Sequence, residues 1–357
     1  MSTLELVRSI DIVGWDIGGA HLKACLRRGG EIVDVAQWAC PLWQGLEQLD
    51  TALDAATTRW PGLPLARHAV TMTGEMADLF ANHEEGVRRI AAQLLRRWPA
   101  ERVRFYAGDA GWCDGDAVAA TWPHIASANW LATARHVAAA QGGDGVLVDI
   151  GSTTTDLIAF SRGRVLATAR SDAERLATGE LVYHGVVRTP LCALAPRIAF
   201  RGVPRNVMNE FFATTADVYR LSGELPAEHD LQPAADQGAK DAAATRQRLA
   251  RMIGLDARDA SADEWLQFAF GWRVLQVESL RGELQKVMAL HRLSPQARLV
   301  SAGCGDFLVS ALQPAEGGAT MACVRYADAV AHAAPALAAQ VQVCAPSVAV
   351  AMLFDQK

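Results

Sequence analysis

One feature constrains this 357-residue chain more than any other: a strand that runs into Asp and glycine, written twice. Ile10 to Trp15 is an apolar run leading into Asp16-Ile17-Gly18-Gly19, and Gly145 to Ile150 is a second that ends in Asp149-Ile150-Gly151, at a spacing of 133 residues from Asp to Asp. Each is followed by two further short strands: Leu22 to Leu26 and Glu31 to Gln37 in the first case, Asp156 to Phe160 and Arg164 to Thr168 in the second. This reads as one unit used twice, each copy opening on a three-strand meander with a polar first turn. Helical spacing at Leu42 to Arg59, Val87 to Trp98 and Asn129 to Ala140 alternates with apolar strands at Ala69 to Met72, Val103 to Ala107 and Ala297 to Ser301. The expected class is α/β.

The expected organisation is a first lobe over 1–142 and a second over 143–324, with 325–357 returning to the first. A polar, helix-rich insertion over about 190–295 interrupts the second. With 51% hydrophobic and 20% charged residues the chain can bury a large core, which excludes general disorder, and a net charge of -5 argues against a nucleic-acid partner. Residues 329–354 carry no Lys, Arg, Asp or Glu over a bilayer's length. They are mostly Ala, and His332, Pro335, Gln340, Gln342 and Pro346 interrupt them, so two packed elements are expected and no membrane partner. Met1 to Arg8 has no long apolar core of a signal peptide, and the seven cysteines show no paired spacing, so a reduced, cytoplasmic protein is expected. A homodimer is compatible with the sequence but not written in it.

The turns carry the chemistry. An Asp at a strand end followed by bare glycine backbone lets N–H groups approach an anion while the carboxylate takes Mg²⁺ directly or through water. Asp16, Gly18 and Gly19 fit, and Lys23 lies just beyond, one of four lysines in a chain whose other 30 basic residues are Arg. The second turn adds donors: Gly151, Ser152, Thr153, Thr154 and Thr155 sit between Asp149 and Asp156. A late turn, Gly303-Cys304-Gly305, offers further bare backbone beside a strand. For each, an ordinary turn stabilised by its own side chains is the competing reading.

Taken in order, two Asp–Gly turns and a late Gly-x-Gly turn resemble the superfamily of acetate and sugar kinases, heat-shock chaperones and actin (ASKHA), which implies two lobes with a ligand cleft between them. The segments Thr178 to Pro190, Phe200 to Val203 and Val207 to Tyr219 resemble a branch of the hydantoinase A and oxoprolinase-related proteins, as do Gly14 to Lys23, Ser127 to Ala132 and Ser301 to Gly305. The resemblance covers nearly the whole chain and is to proteins of tetrahydromethanopterin-linked one-carbon transfer, active in making methanofuran-type carriers. One stretch departs: relatives carry T-A-D-G and a Lys-Ser pair where this chain has Pro233 to Asp241, which leaves Asp236 and Lys240 unassigned.

The resemblance implies a condensing transferase. It would join an aminomethyl-furanylmethyl diphosphate to the phenol of γ-glutamyltyramine, or of a tyrosine analogue, releasing diphosphate. Mg²⁺ near Asp16, Asp149 and Asp156 would be its inorganic cofactor, with no organic one, and Lys23 and the glycine and hydroxyl donors would meet the leaving group. Glu180 and Glu210 are candidates for the base that takes the phenol's proton. Arg188 and Asn209 are candidates for diphosphate or glutamyl carboxylate, Asn129 for substrate binding, and Trp130 beside it for a wall of an aromatic-substrate pocket. His21 is expected beside the first turn and His184 in a helix. Two alternatives stay open: an ATP-dependent kinase or hydantoinase-type hydrolase, and a non-enzymatic nucleotide-binding assembly protein.

Overall fold

The computed structural model describes residues 11–313 and 321–354, which fall in two units. The first holds the chain up to Gly142, residues 162–165 and the chain from Tyr326 onward; the second holds 143–161 and 166–325. Ile10, Met1 to Arg8 and Lys357 lie outside the described residues.

The first unit begins with β1 (Ile12–Ile17), β2 (His21–Arg28) and β3 (Glu31–Ala39), followed by α1 (Glu47–Arg59), β4 (Arg67–Met72), α2 (His83–Arg97), β5 (Val103–Tyr106), β6 (Trp112–Cys113), α3 (Val118–Ile125) and α4 (Asn129–Gln141). The sheet order is β3-β2-β1-β4-β5-β6: antiparallel from β3 to β1, parallel through β4 and β5, antiparallel again at β6. All six residues of β1 are buried, which is why its apolar run is continuous rather than alternating. Val13, Trp15 and Ile17 pack with Leu49 and Leu53 of α1 and Ile90 and Leu94 of α2. The helix expected from Leu42 starts later, at Glu47, after a separate short turn at Leu42–Gln44 that Pro41 and Gly45 punctuate.

A buried aromatic column runs through this core. His68 stacks on Trp98 with centroids 3.8 Å apart and planes 11° apart, and accepts at Nδ1 from Trp15 Nε1 at 3.1 Å. Burial pushes its pKa down to about 3.

The second unit repeats the meander with β7 (Gly145–Ile150) and β8 (Thr155–Ser161). The expected third strand is only β9 (Arg164–Val165), whose residues count with the first unit. Then come α5 (Asp172–Thr178), β10 (Leu181–Val182), α6 (Leu191–Leu194), β11 (Arg197–Phe200), β12 (Val203–Asn206), α7 (Thr215–Ser222), α8 (Ala242–Arg251), α9 (Ala262–Leu290), β13 (Arg298–Ala302) and β14 (Cys323–Arg325). The sheet order is β10-β8-β7-β13-β14, with β7, β13 and β14 parallel. The insertion is not all helix, because β11 and β12 form an antiparallel hairpin. Its tight turn is the Phe200 to Val203 motif, where Arg201 (φ 52°) and Gly202 (φ 74°) take the positive φ values of a primed turn. Phe200 stacks on Trp265 at 4.9 Å and Arg201 grips Glu264 with two bonds of 2.7 Å, so this motif fastens the hairpin to α9. The 29-residue α9 starts on a capping box of Ser261 and Glu264.

The chain closes with α10 (Tyr326–Ala329), α11 (Ala338–Val343) and α12 (Ala345–Leu353) in the first unit. Among the described residues no single helix is long and apolar enough to cross a membrane. The Pro335–Val343 and Ala345–Leu353 helices have the joint length and composition of a span, but they meet at 102°, and α12 packs on β1 and α4.

Candidate functional site

The two Asp–Gly turns are built alike, position by position. In the first unit Asp16 on β1 faces Lys23 on β2, and Gly18 N donates to His21 O at 3.0 Å. In the second, Asp149 on β7 faces Asp156 on β8, and Gly151 N donates to Thr154 O at 2.8 Å. Directly opposed residues of an antiparallel pair share one face of the sheet, so each hairpin presents its Asp beside the partner side chain.

In the first unit Asp16 is 5% exposed, and Asn129 Nδ2 lies 3.4 Å from its Oδ1. Asn129 is the first residue of α4, and its own Oδ1 accepts from Trp130 N at 2.8 Å. Just upstream Ser127 holds φ 49°, a strained backbone for a residue with a side chain, while its Oγ donates to buried Glu75 at 2.8 Å. The Ser127 to Ala132 motif thereby delivers Asn129 to Asp16. Nothing lies within 4 Å of where a Gly19 Cβ would stand, so that peptide is open to an approaching group. Lys23 Nζ donates to Val343 O, the last carbonyl of α11, at 3.0 Å. Trp130 is fully built into the core rather than walling a pocket.

In the second unit three separate stretches meet. Gly305 N donates to Ile150 O at 2.8 Å, and Gly303, at φ 85°, lies so close that a Cβ there would come within 2.5 Å of Asp149 Oδ1. From the other side the segment after β10 folds onto the turn: Val186 N donates to Gly151 O at 3.1 Å, and Val187 N and Arg188 N donate to Ser152 O at 3.0 and 2.9 Å. That approach requires glycine at 185, since a Cβ would run into the Ser152–Thr153 peptide. The exposed Arg188 guanidinium reaches to 3.5 Å from Thr153 Oγ1, beside the half-buried Ser152 and Thr154. A carboxylate, small hydroxyls, bare glycine backbone and a guanidinium thus converge, and such a set can hold a phosphate group.

Several candidates have other work. Thr155 Oγ1 donates to the His184 carbonyl at 2.6 Å and is wholly buried, which takes it out of the ligand-facing donors. Asp156 pairs with buried Arg175, itself beside Asp172, so this carboxylate is neutralised from behind the turn and is not an open metal ligand. Glu180 is 1% exposed, accepts from Thr178 Oγ1 at 2.9 Å and lies 2.8 Å from His291 Nε2. A base must reach its proton, and this one is enclosed. Asn209 and Glu210 are exposed in the bend before α7, and no hydrogen bond among the described residues joins them to the turn. His184 lies in a loop, not a helix; burial holds its ring below the ordinary value, with Glu283 pulling the other way. Asp236 and Lys240 belong to an ion network: Asp236 accepts from buried Arg248 at 3.1 Å, and Lys240 donates to Asp230. They brace the insertion.

Among the described residues no group of three or more His, Cys, Asp or Glu side chains is arranged to hold a metal ion. Asp16 and Asp149, each within its own unit, offer a single carboxylate beside a turn, which is a different arrangement. Mg²⁺ typically takes one or two carboxylates, with water and phosphate oxygens completing its shell.

A family model described as hydantoinase/oxoprolinase matches residues 67–344. Over 260 residues the chain is 31% identical to a Methanocaldococcus jannaschii protein named (4-{4-[2-(gamma-L-glutamylamino)ethyl]phenoxymethyl}furan-2-yl)methanamine synthase, covering 73% of this chain and 76% of that one. A Methanococcus vannielii protein of the same name is 30% identical over 161 residues, covering 45% and 71%. Among solved structures, nucleotide-free acetone carboxylase aligns with a TM-score of 0.55 at 12% identity, over 96% of this chain and 70% of that one, a likeness of fold alone. The fold is α/β in two units, each with a mixed sheet that opens on an Asp–Gly hairpin, as the paired turns led one to expect, and it is shared with acetone carboxylase. The chain belongs to the hydantoinase/oxoprolinase family.

Proposed function

We propose that this chain is a transferase that joins a phenol to a furanylmethyl carbon with loss of diphosphate, in the making of a furan-based one-carbon carrier. What supports the reading is the convergence of Asp149, Gly151 to Thr154, Arg188 and Gly303 to Gly305 in one unit, together with the name of the archaeal relatives. That name describes a phenoxymethyl-furan, which is an aryl ether.

The balance is simple. The phenol oxygen forms a bond to the furanylmethyl carbon, the bond from that carbon to the diphosphate oxygen breaks, and diphosphate leaves with the electron pair. The electron-rich furan supports positive charge developing on its methylene carbon. The protein's main tasks are then to neutralise the leaving group and to hold the phenol in line. In this reading Arg188, the Ser152 and Thr153 hydroxyls and the Gly151 to Thr154 turn hold diphosphate, and Asp149 would hold Mg²⁺. Bound there, Mg²⁺ would supply charge neutralisation of the diphosphate oxygens. The phenol, with an ordinary pKa of about 10, must give up its proton as the bond forms. Of the two carboxylates that the sequence offered, Glu210 is exposed and Glu180 enclosed, so Glu210 is the proposed acceptor.

Purified protein incubated with Mg²⁺, a furanylmethyl diphosphate and γ-glutamyltyramine, without nucleotide, is expected to yield ether and diphosphate in equal amounts. Product formation only when ATP is added would overturn the reading and favour the kinase or hydrolase alternative.

A further inference from the structure

The segment that carries Arg188 is held from below by a buried polar clamp. Gly185 N donates to Thr189 Oγ1 at 2.8 Å, and the Gly185 carbonyl accepts from Thr189 Oγ1 at 3.2 Å, Thr215 Oγ1 at 2.9 Å and Gln276 Nε2 at 3.0 Å. Tyr219 OH donates to Gln276 Oε1 at 2.6 Å. Thr215 and Tyr219 stand one turn apart on α7 and so face the same way, and Gln276 reaches in from α9. Thr189, Thr215, Tyr219 and Gln276 are all buried.

A glutamine among Trp272, Val277 and Leu280 is costly to desolvate, and a leucine would fill that space more cheaply. Both ends of its amide are bonded, and the direction is set by chemistry. A carbonyl only accepts, so the NH₂ must face Gly185 and the oxygen Tyr219, whose phenol burial keeps protonated. The peptide so gripped starts the stretch whose next three amides bond the Gly151–Ser152 backbone.

We propose that Gln276 is a positioning residue for diphosphate binding: by clamping the Gly185 carbonyl it sets Val186 to Arg188 on the Gly151–Thr153 turn and aims the Arg188 guanidinium. The proposal rests on the reading of that turn as the diphosphate site. A buried donor lost from such a clamp is worth on the order of ten-fold in an affinity that depends on it.

The test uses the full chain, Mg²⁺ and inorganic diphosphate, with binding followed by calorimetry across pH. Arg188→Ala is expected to weaken binding. Gln276→Leu is expected to weaken it about ten-fold, and to add nothing on the Arg188→Ala background, because the clamp acts through Arg188. Gln276→Glu keeps the shape. It should match the wild type at low pH, where the protonated acid donates to Gly185, and fall behind as the pH rises, a signature that a merely structural role would not produce. If Arg188→Ala binds diphosphate as the wild type does, the reading of the turn fails. If Arg188→Ala is weakened but Gln276→Glu tracks the wild type at every pH, or Gln276→Leu costs as much with Arg188 removed, the clamp fails and the turn stands. Should Gln276→Leu not fold, the Gln276→Glu profile decides alone.

Discussion

Asp16, Lys23, Asp149 and Asp156 hold equivalent places in a repeated hairpin, yet the repeat puts a lysine opposite one Asp and a second Asp opposite the other. Two carboxylates side by side repel, and Arg175, 2% exposed, offsets the second of them by pairing with Asp156. Removing that guanidinium strands a buried charge. Arg175→Met is expected to cost about 3–5 kcal/mol in urea unfolding, whereas Lys286→Ala, at an exposed pair with Glu283, stays within about 0.5 kcal/mol. A loss below about 1 kcal/mol for Arg175→Met would mean that water still reaches Asp156. The turn residues could be read in the sequence because an Asp–Gly turn is local chemistry. Asp156's partner and the enclosure of Glu180 could not, because Arg175 comes from α5 and His291 from beyond the end of α9.

At the scale of elements, apolar runs marked the central strands well, since β1 and β7 are buried on both faces. The pattern weakened where burial is one-sided or the element short. The β11–β12 hairpin has exposed positions along both strands, and the motif around its turn, which carries part of the family resemblance, is a fastening to α9. The Gly185 segment lies between these cases: its place in a conspicuous motif was visible, but not that it packs on a turn more than 30 residues earlier. Gly185→Ala must push that segment off the Ser152–Thr153 peptide. The expected result is a stability loss of about 1–3 kcal/mol by denaturant titration, together with loss of diphosphate binding. Full diphosphate affinity in the alanine variant would show that the segment's approach to the turn is dispensable.

Over the whole molecule the duplication is the feature that sequence and structure share most fully, while two buried histidines set a property neither motif announces. Burial pushes His68 down to about 3, and burial together with His332 pushes His136, bonded to Tyr326, down to about 4. The unfolded chain takes up these protons near pH 6.5 and the folded chain does not. Stability should therefore fall as the pH drops below about 6.5, by up to about 1.4 kcal/mol per unit for each histidine until its folded pKa is reached. His68→Phe should flatten that acid limb; an unchanged limb would contradict the assignment. The central claim, a phenol displacing diphosphate, is tested most directly by following heavy oxygen placed in the phenol of γ-glutamyltyramine during reaction with a furanylmethyl diphosphate. The account predicts all of the label in the aryl ether and none in the released diphosphate, with no nucleotide added. Label appearing in phosphate or diphosphate would contradict it.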